Sequence, residues 1–544
     1  MRWCRLARGP QATVRGEWTD YAVKGGILMA DRSILIIGAG IAGLATGCYA
    51  QMNGFHTQIF EMHAIPGGVC TSWKRKGYTF DGCIHHLAGC NPDTKLYRMW
   101  QELGAMPRNL FHPEEVVQVE EPGGKTLTVY ADLDRLEEHM VQLATVDAKV
   151  IESYIRAARG PRRFDMMELA VAGPRDILRA LPVVLSGLRW LRETMASAAD
   201  SFADPFLRRA FPLIEYDEPA NPMATHLNLL AQCETHSFAW PAGGSLPFAM
   251  DIERRYRALG GETHYRAQVA EILVDKDRAV GVRLADGSEH RADVIVSTAY
   301  GRATVYGLLR GRYTDERIRA AYARPVDEVA MGLQVSLGVA RDLSGEPPAI
   351  VLLLPQPVAI AGRTYDRLSL ELFGFDPTMA PPGKGVLKVM LKTSYAYWQE
   401  LAKDPERYPA EKEQVADIVL EQLEPRFPGL RGQVEVVDVA TPVTTERYTG
   451  NGPAFEGSLG FPLASFLAGR GIVRTLPGLS GLYMAGQWAG FPGLPWVAGM
   501  GRNLVQHLCR REGRPFVTTI APDGASQLAE RRGKDRKNGV RNVW

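Results

Sequence analysis

The stretch GAGIAGLATG, Gly38–Gly47, follows the apolar run Ile34–Ile37, and its reading decides the fold. A strand over Ser33–Ile37, a turn at Gly38-Ala39-Gly40, a helix from Ile41 to about Asn53 stopped by Gly54, and a strand over Thr57–Phe60 ending in Glu61 compose one βαβ unit. Ile41, Leu44, Ala45, Cys48 and Met52 recur at helical spacing and give the helix one buried face. In such a unit Gly38 makes the tight turn, Gly40 admits the pyrophosphate of a dinucleotide, and Gly43 lets helix and strand pack closely. The helix N-terminus offers oriented N–H groups to the phosphates. Glu61 is placed to accept hydrogen bonds from the adenosine ribose. A lone GxGxxG often marks only a packing turn; here strand, helix and acid stand in register.

NAD and FAD share this half, and the next residues separate them. Ile65-Pro66-Gly67-Gly68-Val69 puts a second glycine pair directly after the ribose acid, which suits a backbone running on beside the pyrophosphate and ribityl chain. Near the far end stands GLYMAGQWAGFPGLPWVAGMGRNLVQHLCRR: a strand over Gly481–Ala485, Gly486, a Gly/Pro loop, and a helix from about Val497 to Arg511. That order brings a second helix N-terminus, a positive dipole end, to a shared site. A flavin ring that turns anionic on reduction gains from such an end. The cofactor expected is FAD.

The bulk properties bound the rest. A chain of 544 residues is too long for one hydrophobic core, so two or more lobes are expected. Lys+Arg 63 against Asp+Glu 61 gives a net charge of +2, with no basic field for nucleic acid. Seven cysteines without a C-x-x-C pair argue against a disulfide framework, a zinc site or a dithiol redox centre, and suit a cytoplasmic location. No metal site is expected. No apolar run is long enough to span a bilayer, and the basic N-terminus has no apolar core behind it. Lys24-Gly25-Gly26 would be encoded by a purine-rich run ahead of Met29, as a bacterial ribosome-binding site is. Residues 1–30 are therefore expected to be an extension, untranslated or disordered, and 517–544 a disordered tail.

Several further stretches carry a resemblance. GAGIAGLATG…FE…IPGGVCTSWKRKGYTFDGCIHHLAG, AWPAGGSLPFAMDIERRYRALGG, VAEILVDKDRAVGVRLADGSEHRADVIVST, FDPTMAPPGKGVLKVMLKTSYAYWQEL and ATPVTTERYTGNGPAFEG run in order from about Asp31 to Phe516 with the terminal segment. The sequence resembles the phytoene desaturase, carotenoid isomerase and retinol saturase family of FAD-dependent oxidoreductases. The resemblance implies cofactor contacts at Gly38, Ala39, Gly40, Ala42, Gly43, Glu61, Met62, Gly67, Gly68, Val69, Val269, Gly486 and Gln487. Two positions depart from the pattern: Val69 stands where an arginine is common, and Gln487 where an acid is common. The implied activity is desaturation, saturation or isomerisation of a hydrophobic polyene or isoprenoid by hydride transfer at flavin N5. Two rivals share the fold: a flavin amine oxidase, and a non-enzymatic prenyl-binding protein of the GDP-dissociation-inhibitor type.

The fold class expected is α/β. A discontinuous Rossmann-like FAD lobe comes from 31–115, 236–300 and 470–516; a mixed-sheet substrate lobe comes from 116–235 and 301–469, fed by apolar runs such as Val329–Val339 and Ile350–Leu354. No second GxGxxG stands between a strand and a helix, so no dedicated NADPH-binding domain is expected, and the electron donor or acceptor stays unassigned. His85 and His86 follow the flavin-side glycines and are candidates to border the ring, as a hydrogen-bonding pair or a proton relay. Arg447 and Tyr448 are placed in a loop that the family brings near the substrate cavity. Leu178, Leu181, Val184, Leu185, Leu188 and Leu191, with Arg175, Arg179, Arg189, Arg192 and Trp190 around them, form either a lobe-packing helix or a basic amphipathic segment lying on the inner membrane face.

Overall fold

A computed structural model describes residues 32–160, 165–173, 175–179, 182, 187–215, 217–323, 330–452, 475–490 and 492–522. The extension 1–30, the tail beyond 522, and Leu181, Val184 and Leu185 of the leucine stripe lie outside them.

Five parallel strands form the first sheet, in the order Glu262–His264, His56–Phe60, Ser33–Ile37, Val294–Ser297 and Leu482–Met484. Ser33–Ile37 is central because Ile34, Leu35 and Ile36 are apolar on both sides of the pleat, as a strand covered on both faces requires. The following helix, Ile41–Met52, differs from the expected single buried face. Every residue from Ile41 to Ala50 is buried, since the helix packs against the sheet, against Ser245–Ala258 and against the terminal helix Leu494–Arg511. Its small residues permit this. A Cβ added at Gly47 would fall 2.6 Å from the Tyr256 ring.

The second sheet has seven strands, in the order Val434–Ala440, Ala330–Val339, Gly385–Ser394, Arg363–Leu372, Ala349–Ile360, Glu115–Glu120 and Thr126–Tyr130. All neighbours are antiparallel except Ala349–Ile360 with Glu115–Glu120. Both apolar runs singled out in the sequence become its strands. Leu333, Val335, Leu337 and Val339 pack into a core with Trp398 and Val419 from the covering helices Tyr395–Leu401 and Arg407–Leu423, and with Phe427 from the turn that follows. The opposite face carries Gln334, which donates to the Asp81 carbonyl (3.0 Å) and so ties this sheet to the end of the hairpin Ser72–Arg75/Tyr78–Asp81.

Two further expectations fail. The chain through Pro522 is not a free tail at its start. The Val517 N–H donates to Asn53 Oδ1 (2.8 Å), Thr518 Oγ1 to Glu102 Oε1 (2.8 Å), and the Ala521 N–H to the Gln101 carbonyl (3.1 Å). Arg447 and Tyr448 sit in a helix, Pro442–Thr449, not a loop. Thr441 and Thr444 form a reciprocal cap, Pro442 occupies the first turn, and Gly450 ends the helix with φ +68°.

Candidate functional site

The C-terminal ends of the central parallel strands open on one cavity of about 1230 Å3, where an open α/β sheet places its ligands. Its wall brings together most of the residues singled out above. Gly38, Gly40, Ala42, Glu61, Met62, Gly67, Gly68, Val69, Val269, Gly486 and Gln487 line it, and so do His85, His86, Arg447 and Tyr448. Ala39 and Gly43 do not reach the wall. They shape it from behind: the Ala39 N–H donates to Glu61 Oε2 (2.7 Å), and a Cβ at Gly43 would lie 2.0 Å from the Gly38 carbonyl oxygen.

The glycines separate into two kinds. Gly38 has φ +98°, a turn that favours glycine on conformational grounds alone. Gly40 has an ordinary backbone, φ −68°, and a Cβ built there meets nothing nearer than the Gly67 oxygen at 4.0 Å. Neither the fold nor its packing demands glycine at 40; a side chain there would simply occupy the cavity. The double-glycine turn folds onto this spot, with the Gly67 N–H donating to the Ala39 carbonyl (2.9 Å).

Two helix N-termini face this end, Ile41–Met52 capped by Gly40 and Leu494–Arg511 capped by Gly493. The terminal helix begins three residues before the expected Val497, because Pro495 fits the first turn, where a missing N–H costs nothing. Together the N-termini make a positive dipole environment suited to an anionic group. Glu61 accepts from the Ala39 and His63 N–H groups, the latter at 2.8 Å. A carboxylate has about four acceptor sites, so each oxygen keeps capacity for a ribose hydroxyl.

Away from the glycines the wall turns mostly apolar, with Ile84, Met390, Val439 and Val443, and aromatic, with Trp73, Tyr300, Tyr408 and Trp488. Three permanent cations reach it. Arg75 pairs with Asp438 (3.2 Å), Lys412 lies over the Tyr408 ring (5.6 Å), and Arg447 over Tyr448 (5.6 Å). The two histidines differ. His86 is stacked on Phe238 with centroids 4.7 Å apart, and burial first, then the charge of His85, lowers its pKa to about 3. His85 meets Glu371 through Nδ1. Burial pushes the Glu371 carboxyl up, but His85 and then Lys388 outweigh it and hold it well below the usual carboxylate range.

Glu371 and Lys388 went unnoticed in the sequence. The one available signal was a lysine inside the apolar run Val386–Leu391; which carboxylate it meets depends on strand register, which the sequence does not display. Among the described residues no group of three or more His, Cys, Asp or Glu side chains is arranged to hold a metal ion. Nor is any described helix long and apolar enough to cross a membrane.

Comparisons with known proteins agree with this geometry. A family described as an NAD(P)-binding Rossmann-like domain matches residues 36–103. A prolycopene isomerase of Arabidopsis thaliana is 24% identical over 506 residues, covering 90% of this chain and 83% of that protein. A lycopene-forming phytoene desaturase of Pseudescherichia vulneris is 25% identical over 432 residues, 76% of this chain and 85% of that protein. The solved structure of an oxidoreductase from Methanosarcina mazei superposes with a TM-score of 0.54 at 20% identity, covering 87% of this chain and all (100%) of that one. That likeness is of fold.

Proposed function

Starting from its homology to prolycopene isomerases and phytoene desaturases, we propose that this chain is an FAD-dependent oxidoreductase acting on C–C or C=C bonds of a hydrophobic polyene. One observation carries the reading: a single cavity runs from the glycine turns of the parallel sheet to the apolar wall on the seven-stranded sheet. At about 1230 Å3 it exceeds the usual range for one drug-sized ligand, so a dinucleotide and a second molecule share it.

The residues fit the cofactor. The helix N-termini at Ile41 and Leu494 and the open space at Gly40 suit the pyrophosphate, Glu61 the ribose, and Gly67-Gly68 the continuing backbone. Bound there, the flavin supplies hydride exchange with a substrate carbon. The chain's own part is to hold an apolar substrate against Ile84, Met390, Val439 and Val443 and keep water from it. Tyr448 lies edge-on to His63 (5.3 Å), two residues after Glu61, which favours an adenosine-side place for it and for its neighbour Arg447 on the same wall.

A water-insoluble substrate must be collected from somewhere, and we assign that task to the segment around 175–192. Ile177 and Leu178 are 45% and 69% exposed, and the Arg189 guanidinium lies over Trp190 (3.7 Å) on a short helix, Leu188–Arg192. Exposed apolar side chains beside arginines suit an anionic membrane surface. The test is anaerobic mixing of the purified protein with phytoene or prolycopene in liposomes, followed by chromatography. A changed polyene supports the reading. Unchanged polyenes together with rapid bleaching of the flavin by a primary amine would move the assignment to an amine oxidase.

A further inference from the structure

No C-x-x-C pair occurs in the chain, yet a hairpin brings two distant cysteines together. The strands Ser72–Arg75 and Tyr78–Asp81 pair in register, with Ser72 opposite Asp81. The ladder runs one step further, the Gly82 N–H donating to the Thr71 carbonyl (3.0 Å). Cys70 and Cys83 flank that last bond, one on each side of the hairpin, and their thiols interact directly. Both backbones are held: the Cys70 N–H donates to the Gly67 carbonyl (3.0 Å), and the Cys83 N–H to Asp81 Oδ1 (3.0 Å). Among the described cysteines only these two line the cavity. Cys48 and Cys90 donate instead to the Ile252 (3.6 Å) and Leu87 (3.2 Å) carbonyls.

We infer that Cys70 and Cys83 form a redox site, a dithiol that a small disulfide closes into an intramolecular bond across the cavity wall. Cys83 is half-buried and Cys70 is 1% exposed, so the oxidant meets Cys83 first. Contact with Cys83, and then burial, push the Cys70 thiol well above its ordinary range, and its Sγ donates to the Ser245 carbonyl (3.6 Å). A thiol with a raised pKa is a poor leaving group, so the closed bond resists reopening. The bond joins the Gly67-Gly68 turn to the loop carrying His85 and His86, two stretches of the same wall. The site is independent of the polyene reading.

Atoms and electrons balance. The Cys83 sulfur attacks R–S–S–R, displaces one RS⁻ and holds the other half as a mixed disulfide. The Cys70 sulfur then attacks Cys83 Sγ, forming the Cys70–Cys83 bond and expelling the second RS⁻. The two cysteine protons end on the two expelled thiolates. Two Cys–SH groups are thereby oxidised by two electrons, and one small disulfide is reduced to two thiols. Excess small thiol runs the same steps backwards.

The test incubates the purified, folded protein with oxidised glutathione at neutral pH, then alkylates it, digests it with trypsin and maps it by mass spectrometry. Trypsin leaves Cys70 in the peptide 33–74 and Cys83 in 77–95. The expected result is a cross-link between these peptides and the loss of two free thiols per chain. Fragmentation should place the bond at Cys70 and Cys83 rather than at Cys48 or Cys90, and dithiothreitol should restore both thiols. Cys70→Ser should stop at one glutathione carried on Cys83, and Cys83→Ser should lose the cross-link. Circular dichroism checks that both variants fold; where serine unfolds the chain, the alanine variant is read in the same way. Closure should also slow amide hydrogen exchange over residues 67–86 several-fold in wild-type protein and leave Cys83→Ser unchanged. Thiols that stay free in folded wild-type protein overturn the site. So does a glutathione that persists on Cys83 without passing to Cys70, or a bond to any other cysteine.

Discussion

Gly40 and Gly43 stand three residues apart and do opposite work. The first keeps space open in the cavity, while the second lies against the Gly38 carbonyl, where a Cβ would come within 2.0 Å. Gly40→Val should therefore fold with a near-normal melting temperature and carry no flavin. Gly43→Ala should lose about 1–3 kcal/mol of stability from overpacking. Melting curves and visible spectra of the two variants check this, and a Gly40→Val protein that is yellow contradicts it. His86 makes a second prediction at this scale. Burial lowers its pKa from 6.5 to about 3. Between those values the unfolded chain binds a proton that the folded chain refuses, so stability is whole above 6.5 and falls as the pH drops through the window. The slope is at most about 1.4 kcal/mol per pH unit. His86→Phe should flatten it, and urea midpoints measured on either side of the ordinary histidine pKa read the difference. Equal acid losses in both proteins would place the titrating group elsewhere.

Elements were legible where their signals are local. Ser33–Ile37, Ile41–Met52 and His56–Phe60 fall within a residue or so of their expected bounds, since turn glycines and an apolar run mark each of them. The helix Pro442–Thr449 shows the opposite error. Its cap, its proline and its terminal glycine were all present in TPVTTERYTG, but the polar sequence looked like a loop. Nor does any local pattern reveal that Glu371 opposes Lys388, because register between strands is set by the whole sheet. That pairing predicts a non-additive result. Glu371→Leu alone leaves a buried lysine without its counter-charge and should cost about 3–5 kcal/mol. Glu371→Leu with Lys388→Met should recover most of that in urea unfolding; additive losses would contradict the buried pair. The basic segment supplies another element-scale test. Arginines near an anionic surface contribute about 1 kcal/mol each, so Arg189→Glu with Arg192→Glu should release the protein from anionic liposomes while leaving its visible spectrum unchanged. Wild-type protein that does not float with liposomes at low salt assigns the segment to packing.

The whole molecule has one sheet of the dinucleotide-binding kind among its described residues, and its glycine turns and Glu61 face the same cavity as the apolar wall. No second such unit stands among the described residues, so, with FAD as the proposed cofactor, NADPH should reduce it only slowly; bleaching at ordinary turnover rates in a stopped-flow instrument would contradict this. The glycine motif and the chain length together point to a dinucleotide-binding lobe and at least one more; the apolar substrate is what the family resemblance implies. Neither fixes the choice of polyene, because an apolar wall offers few polar groups whose spacing a sequence could display. The central claim is that a flavin occupies the glycine end of the cavity, and heat denaturation of the purified protein tests it most directly. The account predicts a yellow protein that releases about one FAD per chain into the supernatant; a protein that is colourless and fails to take up added FAD, while still folded, would contradict it.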